Sequence, residues 1–238
     1  VLGDRTAMRA MVHLQFLLLG AALLITGLVG VWRRDVETGF GNLAGSWLTI
    51  GYLGLLPSYL VVLRCDIDRP GEHGAWIVVG IILICKACDI GAYFVGTTLG
   101  RRKLIPEVSP GKSVEGLLGG VAASIAVGLL AWWVHTTCVP ADVSTGVPNA
   151  TERLRQMAWM ASILCEGLGV AQIIILSSLI ALIGQAGDLL ESVFKRSAGA
   201  KDSARIMPGF GGVLDIIDSP IAVAPVAWFL LTTVWGVM

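Results

Sequence analysis

Asp188, Glu191 and Lys195 lie three and four residues apart in "GQAGDLLESVFKRSAGAKD". On a helix that spacing puts two carboxylates and an ammonium on one face. Carboxylates so placed are hard oxygen ligands of the kind Mg²⁺ takes, one or two at a time, together with substrate phosphates. A salt-bridge ladder on a solvated face uses the same spacing. Further on, "PGFGGVLDIIDS" sets Asp215 and Asp218 three apart with no cation between them. Two aspartates on one helical turn repel each other unless a metal or a shared proton intervenes. Pro208, Gly209, Gly211 and Gly212, just before them, suit a tight turn whose backbone amides can approach a ligand closely.

Two more constellations lie upstream. In "KACDIGAY", Lys86 and Asp89 share a helix face and can pair, which lowers the cost of burying them. Ionisable groups at membrane depth mark a polar site or pathway, and an ion path through a transporter is one use of such a pair. In "RRKLIPEVSPGKS", the tail resembles a phosphate loop, but Pro106 occupies the place where a Walker A motif needs its first glycine. What remains is Ser109, Gly111, Lys112 and Ser113 after Arg101, Arg102 and Lys103, either an anion-binding loop or a solvated basic flank.

These groups must be positioned by an apolar scaffold. The 238 residues are 55% hydrophobic and 14% charged, with a mean hydropathy of +0.78, a composition that suits a polytopic membrane protein and not a soluble domain. Spanning a bilayer takes about 20 apolar residues per helix, and six stretches supply them: 11–31, 43–63, 75–96, 117–134, 159–183 and 220–238. The expected fold is all-α, with six or more transmembrane helices; the runs are too long and too uniformly apolar for barrel strands. We divide the chain into an N-terminal transmembrane region, 1–74, and a transmembrane catalytic region, 75–238, whose loops 97–116 and 184–219 carry the polar groups. Gly41-x-x-x-Gly45 and Gly116-x-x-x-Gly120 offer small-residue faces for helix packing, within one chain or between two copies in a homodimer.

Formal net charge is zero, so no overall field favours nucleic acid as a partner. Loops 32–42, 97–116 and 184–219 carry two, four and four Lys or Arg, against two each at the N-terminus, 64–74 and 135–158. The positive-inside rule places the richer set, and the polar site with it, on the cytoplasmic side, at the inner membrane in a bacterium. Asn149-Ala150-Thr151 is a three-residue glycosylation pattern on the opposite side. Of five cysteines, Cys85 and Cys88 alone form a C-x-x-C, and they lie in an apolar run where thiols pack as small hydrophobes. The three histidines are too dispersed to hold zinc.

The polar residues taken together resemble the phosphatidate cytidylyltransferases, also called CDP-diglyceride synthases. The resemblance rests on the pattern S-x-x-K-R-x4-K-D followed by P-G-H-G-G-x-x-D-R-x-D, which this chain meets with Ser192, Lys195, Arg196, Lys201, Asp202, Pro208, Gly209, Gly211, Gly212, Asp215 and Asp218. Asp89-x-Gly91-Ala92-Tyr93, the S-P-G-K-S run and G-Q-x-G-D-L-x-E-S extend it over residues 86–219. Phe210 and Ile216 stand where that family has histidine and arginine; both replacements remove polar groups and leave the carboxylates intact.

The resemblance implies an enzyme that transfers a cytidylyl group from CTP to phosphatidic acid, giving CDP-diacylglycerol and pyrophosphate at the bilayer surface. It implies one Mg²⁺, or two cations, at Asp215 and Asp218 with Asp188 and Asp89 nearby. Lys195, Arg196 and Lys201 are then expected to clamp phosphates beside the catalytic aspartates, with Ser109, Lys112, Ser192, Gly211 and Gly212 binding substrate. Other readings remain: a related CTP-dependent lipid enzyme of the polyprenol kinase or CDP-archaeol synthase type, or a non-catalytic membrane scaffold.

Overall fold

The computed structural model describes residues 2–33, 39–65, 73–137, 163–200, 203–204 and 212–236. In order these form α1 (Leu2–Arg33), α2 (Gly39–Ile50), a π-helical turn (Gly51–Leu55), α3 (Leu56–Cys65), α4 (His73–Leu99), β1 (Lys103–Ile105), β2 (Ser109–Ser113), α5 (Val114–Thr137), a 3₁₀ turn (Ile163–Cys165), α6 (Val170–Ser197), α7 (Leu214–Trp228) and a second π-helical segment (Phe229–Val234). Among the described residues six helical segments are long and apolar enough to cross a membrane: Leu14–Trp32, Gly39–Cys65, Gly74–Leu99, Val114–Thr137, Val170–Ser197 and Leu214–Val234. Leu17, Leu24, Leu28 and Trp32 are all more than two-thirds exposed on α1, an apolar surface that only lipid or another apolar partner suits. The chain is an integral membrane protein, and the all-α expectation holds apart from the β1–β2 hairpin.

Lipid tails are as apolar as leucine, so helices associate in a bilayer through close packing and interhelical polar contacts. The α4–α5 pair, the most extensive helix contact, uses glycine for this. A Cβ on Gly91 would lie 2.4 Å from the Ala123 Cβ, one on Gly119 2.4 Å from the Val95 side chain, and one on Gly116 2.8 Å from the Ala92 carbonyl. The Gly116/Gly120 face therefore packs within the chain, while Gly41 and Gly45 meet nothing within 4 Å. Ser124 Oγ donates to the Ile84 carbonyl at 3.0 Å across this pair. Below it, Leu63, Ile81, Cys85, Leu164, Ile173, Leu176, Ile180, Val223 and Leu231 form the buried core that joins α3, α4, α6 and α7.

Two helix starts differ from the sequence reading, and both bear on the site. The fifth span begins at Val170, because Ile163–Cys165 is a single 3₁₀ turn and Gly167 adopts φ 74°, a left-handed conformation that suits glycine. Gln172 then caps the new start, its Oε1 accepting the Gly169 backbone N–H at 2.7 Å. As a result α6 runs unbroken to Ser197 and carries Asp188, Glu191 and Lys195 on one rigid element. The last helix starts at Leu214, earlier than the apolar run implies, so Asp215 and Asp218 belong to its first turns. Pro220 and Pro225 lie inside α7; each lacks an N–H for the helical ladder, and the helix passes to π geometry at Phe229.

Gly91→Ala should lower the thermal stability of the detergent-solubilised protein by roughly 1–3 kcal/mol, the usual cost of overpacking. Gly41→Ala should leave it unchanged or raise it, since alanine favours helix and meets no neighbour there. Equal melting temperatures for the two variants would contradict this packing.

Candidate active site

Lys195 organises the polar centre. Its ammonium is paired with Glu191, one turn back on α6, and reaches across to Asp215 Oδ1 on α7 at 2.7 Å. The Asp215 carboxylate is saturated with donors: Oδ2 also accepts from Ser203 Oγ at 2.6 Å, the Ser203 backbone N–H at 3.1 Å and the Gly212 N–H at 2.6 Å. Gly212 is needed there, because a Cβ would lie 2.2 Å from Ser203 Oγ. Asp215 thus staples the segment before α7 onto its first turn while holding Lys195 in place.

The carboxylates gathered beside this pair are Asp188, Glu191 and Asp218, whose oxygens lie within 4.8 Å of one another. Glu191 has no exposed surface and Asp218 is 4% exposed. Asp218 accepts the Ser219 backbone N–H at 2.7 Å. Glu191 Oε2 is paired with Lys195, and its Oε1 has no donor among the described residues. A buried charge costs several kcal/mol unless it is compensated, and Lys195 alone must serve both Glu191 and Asp215. Three close carboxylates with an orphaned oxygen fit a hard divalent cation, which takes oxygen ligands of this type.

A cavity of about 560 Å³ adjoins the trio, with Asp188 in its wall. Asp89, Tyr93, Lys103, Lys112 and Gln185 line it as well. The hairpin supplies both lysines. β1 and β2 pair antiparallel with Lys103 opposite Ser113 and Ile105 opposite Ser109. The S-P-G-K-S run is therefore a strand, and its Lys112 reaches Asp188 at 2.7 Å. Ser113 caps α5, its Oγ accepting the Gly116 N–H at 3.1 Å. Glu115 Oε2 accepts the backbone N–H groups of Arg101 and Arg102 at 3.0 and 3.1 Å, fixing the entry to the hairpin. On the facing side Asp89 holds Lys86 Nζ at 3.0 Å and Gln185 Nε2 at 3.2 Å.

The structure thus brings Asp188 and Asp218 together as the sequence suggests, with Glu191 as the third carboxylate. Asp215 lies beside them as the partner of Lys195, and Asp89 sits in the cavity wall paired with Lys86. Ser192 is half-buried next to Glu191, Arg196 is exposed without an ion pair among the described residues, and Ser109 begins β2. Lys201, Gly211 and the departure at Phe210 lie outside the described residues, as does Asn149–Thr151. Sequence reasoning placed Glu191 on the Asp188 face but not in the metal set; its i, i+3 spacing from Asp188 was the available signal. Gln185 and Lys103 carried a signal as well, in the G-Q-x-G-D-L-x-E-S run and the basic run before Ser109, but neither was among the expected site residues.

The sequence pattern of the cytidylyltransferase family matches residues 5–234. Among curated proteins, the chain is 35% identical to the phosphatidate cytidylyltransferase of Haemophilus influenzae over 181 residues, which cover 75% of this chain and 54% of that protein. It is 31% identical to the protein of the same name from Bacillus subtilis, covering 82% of this chain and 58% of the relative. With the one from Pseudomonas aeruginosa the identity is 37%, covering 82% and 62%. The chain spans little more than half the length of these relatives. With the match running through all six spans and both halves of the polar centre, the chain belongs to the cytidylyltransferase family.

Proposed function

We propose that the chain transfers a cytidylyl group from CTP to phosphatidic acid within the bilayer, leaving CDP-diacylglycerol and releasing pyrophosphate. The observation that carries this reading is the buried trio of Asp188, Glu191 and Asp218 beside Lys195 and next to a cavity that presents Lys103 and Lys112. The relatives' shared name points to the same reaction class.

An oxygen of the lipid phosphate attacks the α-phosphorus of CTP. The new P–O bond forms as the bond from that phosphorus to the β-phosphate oxygen breaks, and pyrophosphate leaves with the electron pair. A phosphate monoester is already a nucleophile at neutral pH, so the reaction needs no side-chain base. It needs two anions brought together and the leaving charge neutralised, which is work for fixed positive charge and hydrogen-bond donors.

Asp188, Glu191 and Asp218 would hold Mg²⁺, which would supply Lewis-acid neutralisation of the phosphates' charge. An ammonium has three donors. Glu191 and Asp215 take two of those on Lys195, leaving one for a phosphate oxygen at a fixed position. Among the described residues Lys112 is paired with Asp188 alone, and its buried ammonium has further donors that a phosphate in the adjoining cavity would satisfy. Arg196, exposed one residue beyond Lys195, can contact phosphate bidentately. Ser109 and Ser192 would add hydroxyl donors; the Gly212 N–H is committed to Asp215, and Lys201 and Gly211 enter only as the resemblance implies, a further cation and a backbone amide. Asp89 serves by holding Gln185 and Lys86 in the wall. The bias of basic residues supports a centre on the cytoplasmic side, where CTP would arrive by solution and phosphatidic acid by the membrane.

Purified protein given labelled CTP, phosphatidic acid and Mg²⁺ should form labelled CDP-lipid with stoichiometric pyrophosphate. Release of CDP would indicate a lipid kinase, and no product at all a scaffold, the reading that Phe210 and Ile216 favour. Asp218→Asn should cut turnover by on the order of 10²- to 10³-fold, the loss typical for removing one preorganised electrostatic group, in a protein that still inserts and folds. Near-normal turnover in this variant would contradict the cation assignment.

A further inference from the structure

Tyr52 lies in the N-terminal region, far in sequence from every residue of the polar centre, yet its ring contacts Phe194 on the helix that carries that centre. It is 3% exposed, and its hydroxyl is buried with no hydrogen-bond partner among the described residues. Its ring meets Phe194 edge-on, with centroids 5.3 Å apart and planes at 81°. Phe194 precedes Lys195 and is one helical turn from Glu191, so Tyr52 stands against the face of α6 that carries the carboxylates. Its hydroxyl lies within electrostatic reach of the Asp218, Glu191 and Asp188 carboxylates.

The segment that presents it is unusual. Gly51–Leu55 is a π-helical turn between α2 and α3 within one membrane-spanning segment. Such turns disturb the regular i→i−4 ladder and are found disproportionately at functional sites. Burying a phenol without an acceptor is costly, and among the described residues none, the three carboxylates included, accepts its proton. The acceptor that is missing is one that a ligand brings.

We infer that the Tyr52 hydroxyl donates a hydrogen bond to a non-bridging phosphate oxygen of the substrate bound at the Asp188–Glu191–Asp218 centre. The inference rests on the cytidylyl-transfer reading and extends it: the N-terminal spans contribute a neutral donor to a site otherwise built from α4 to α7. Phosphate oxygens bound beside carboxylates need donors that do not compete for those carboxylates as a further lysine would. A phenol, protonated at neutral pH and rigid on Phe194, is such a donor.

Tyr52→Phe tests this by removing the oxygen while keeping the ring and its contact with Phe194. Four quantities are measured on the purified protein: melting temperature without ligand, kcat/KM with CTP and phosphatidic acid, calorimetric affinity for inorganic pyrophosphate in Mg²⁺, and affinity for Mn²⁺. The ligand-free melting temperature should equal or exceed that of the wild type, since the hydroxyl has no partner to lose. Turnover efficiency should fall about 10- to 100-fold, the worth of a hydrogen bond to a charged group, and pyrophosphate affinity about 5- to 20-fold by the same argument. Wild-type values for both, or a lowered ligand-free melting temperature, would overturn the inference. So would a fall in Mn²⁺ affinity matching the fall in turnover, which would make Tyr52 a support for the carboxylates. If the wild type forms no CDP-lipid, the cytidylyl reading fails, and the pyrophosphate comparison alone decides the role of Tyr52.

Discussion

The polar centre depends on one ammonium serving two helices. Lys195 is paired with Glu191 on its own helix and with Asp215 on the next, so a single cation sets the relative position of α6 and α7 and offsets charge in a buried region. Asp215 also gathers Ser203 and Gly212, which makes the same pair responsible for how the chain enters α7. Among the described residues four carboxylates, Asp188, Glu191, Asp215 and Asp218, thus share two ammoniums, Lys195 and Lys112, and Glu191 and Asp218 are buried. That deficit is what the proposed chemistry rests on: a centre short of positive charge suits a cation, and a cation there would draw phosphates.

The rest of the fold keeps this centre in register. Glycines let α4 and α5 approach to backbone contact, bringing Gly96 and Gly116 beside the hairpin at Ser113. Lys112 then ties the hairpin to Asp188 on α6, and Gln185 ties α6 to Asp89 on α4. Each of these links crosses between helices through a charged or amide group. Such contacts hold partners in place where apolar surfaces, all equally content in lipid, do not choose among them.

Much of this was legible in the residues because length and hydropathy alone decide membrane spans, and all six appeared. The face shared by Asp188, Glu191 and Lys195 followed from helical spacing, and the family from the order of charged residues and glycines. What was not legible depended on contacts between distant segments. Nothing local distinguishes Asp215, whose oxygens are filled by Lys195, Ser203 and Gly212, from Asp218, three residues on, whose oxygens face other carboxylates. Ser109–Ser113 reads as a loop from its proline and glycine, yet it pairs with Lys103–Ile105, helped by the Glu115 staple at its base. Tyr52 looks like one more aromatic in an apolar run, and only its ring contact with Phe194 and its buried hydroxyl, unpartnered among the described residues, set it apart.

The central claim is that Asp188, Glu191 and Asp218 form the cation seat and Asp215 serves Lys195. Electron paramagnetic resonance of Mn²⁺ titrated into detergent-solubilised protein tests it directly. The account predicts a saturable site in the wild type that Glu191→Gln weakens at least ten-fold and that Asp215→Asn, if folded, perturbs far less. Undiminished Mn²⁺ binding in Glu191→Gln, with loss in Asp215→Asn, would contradict it.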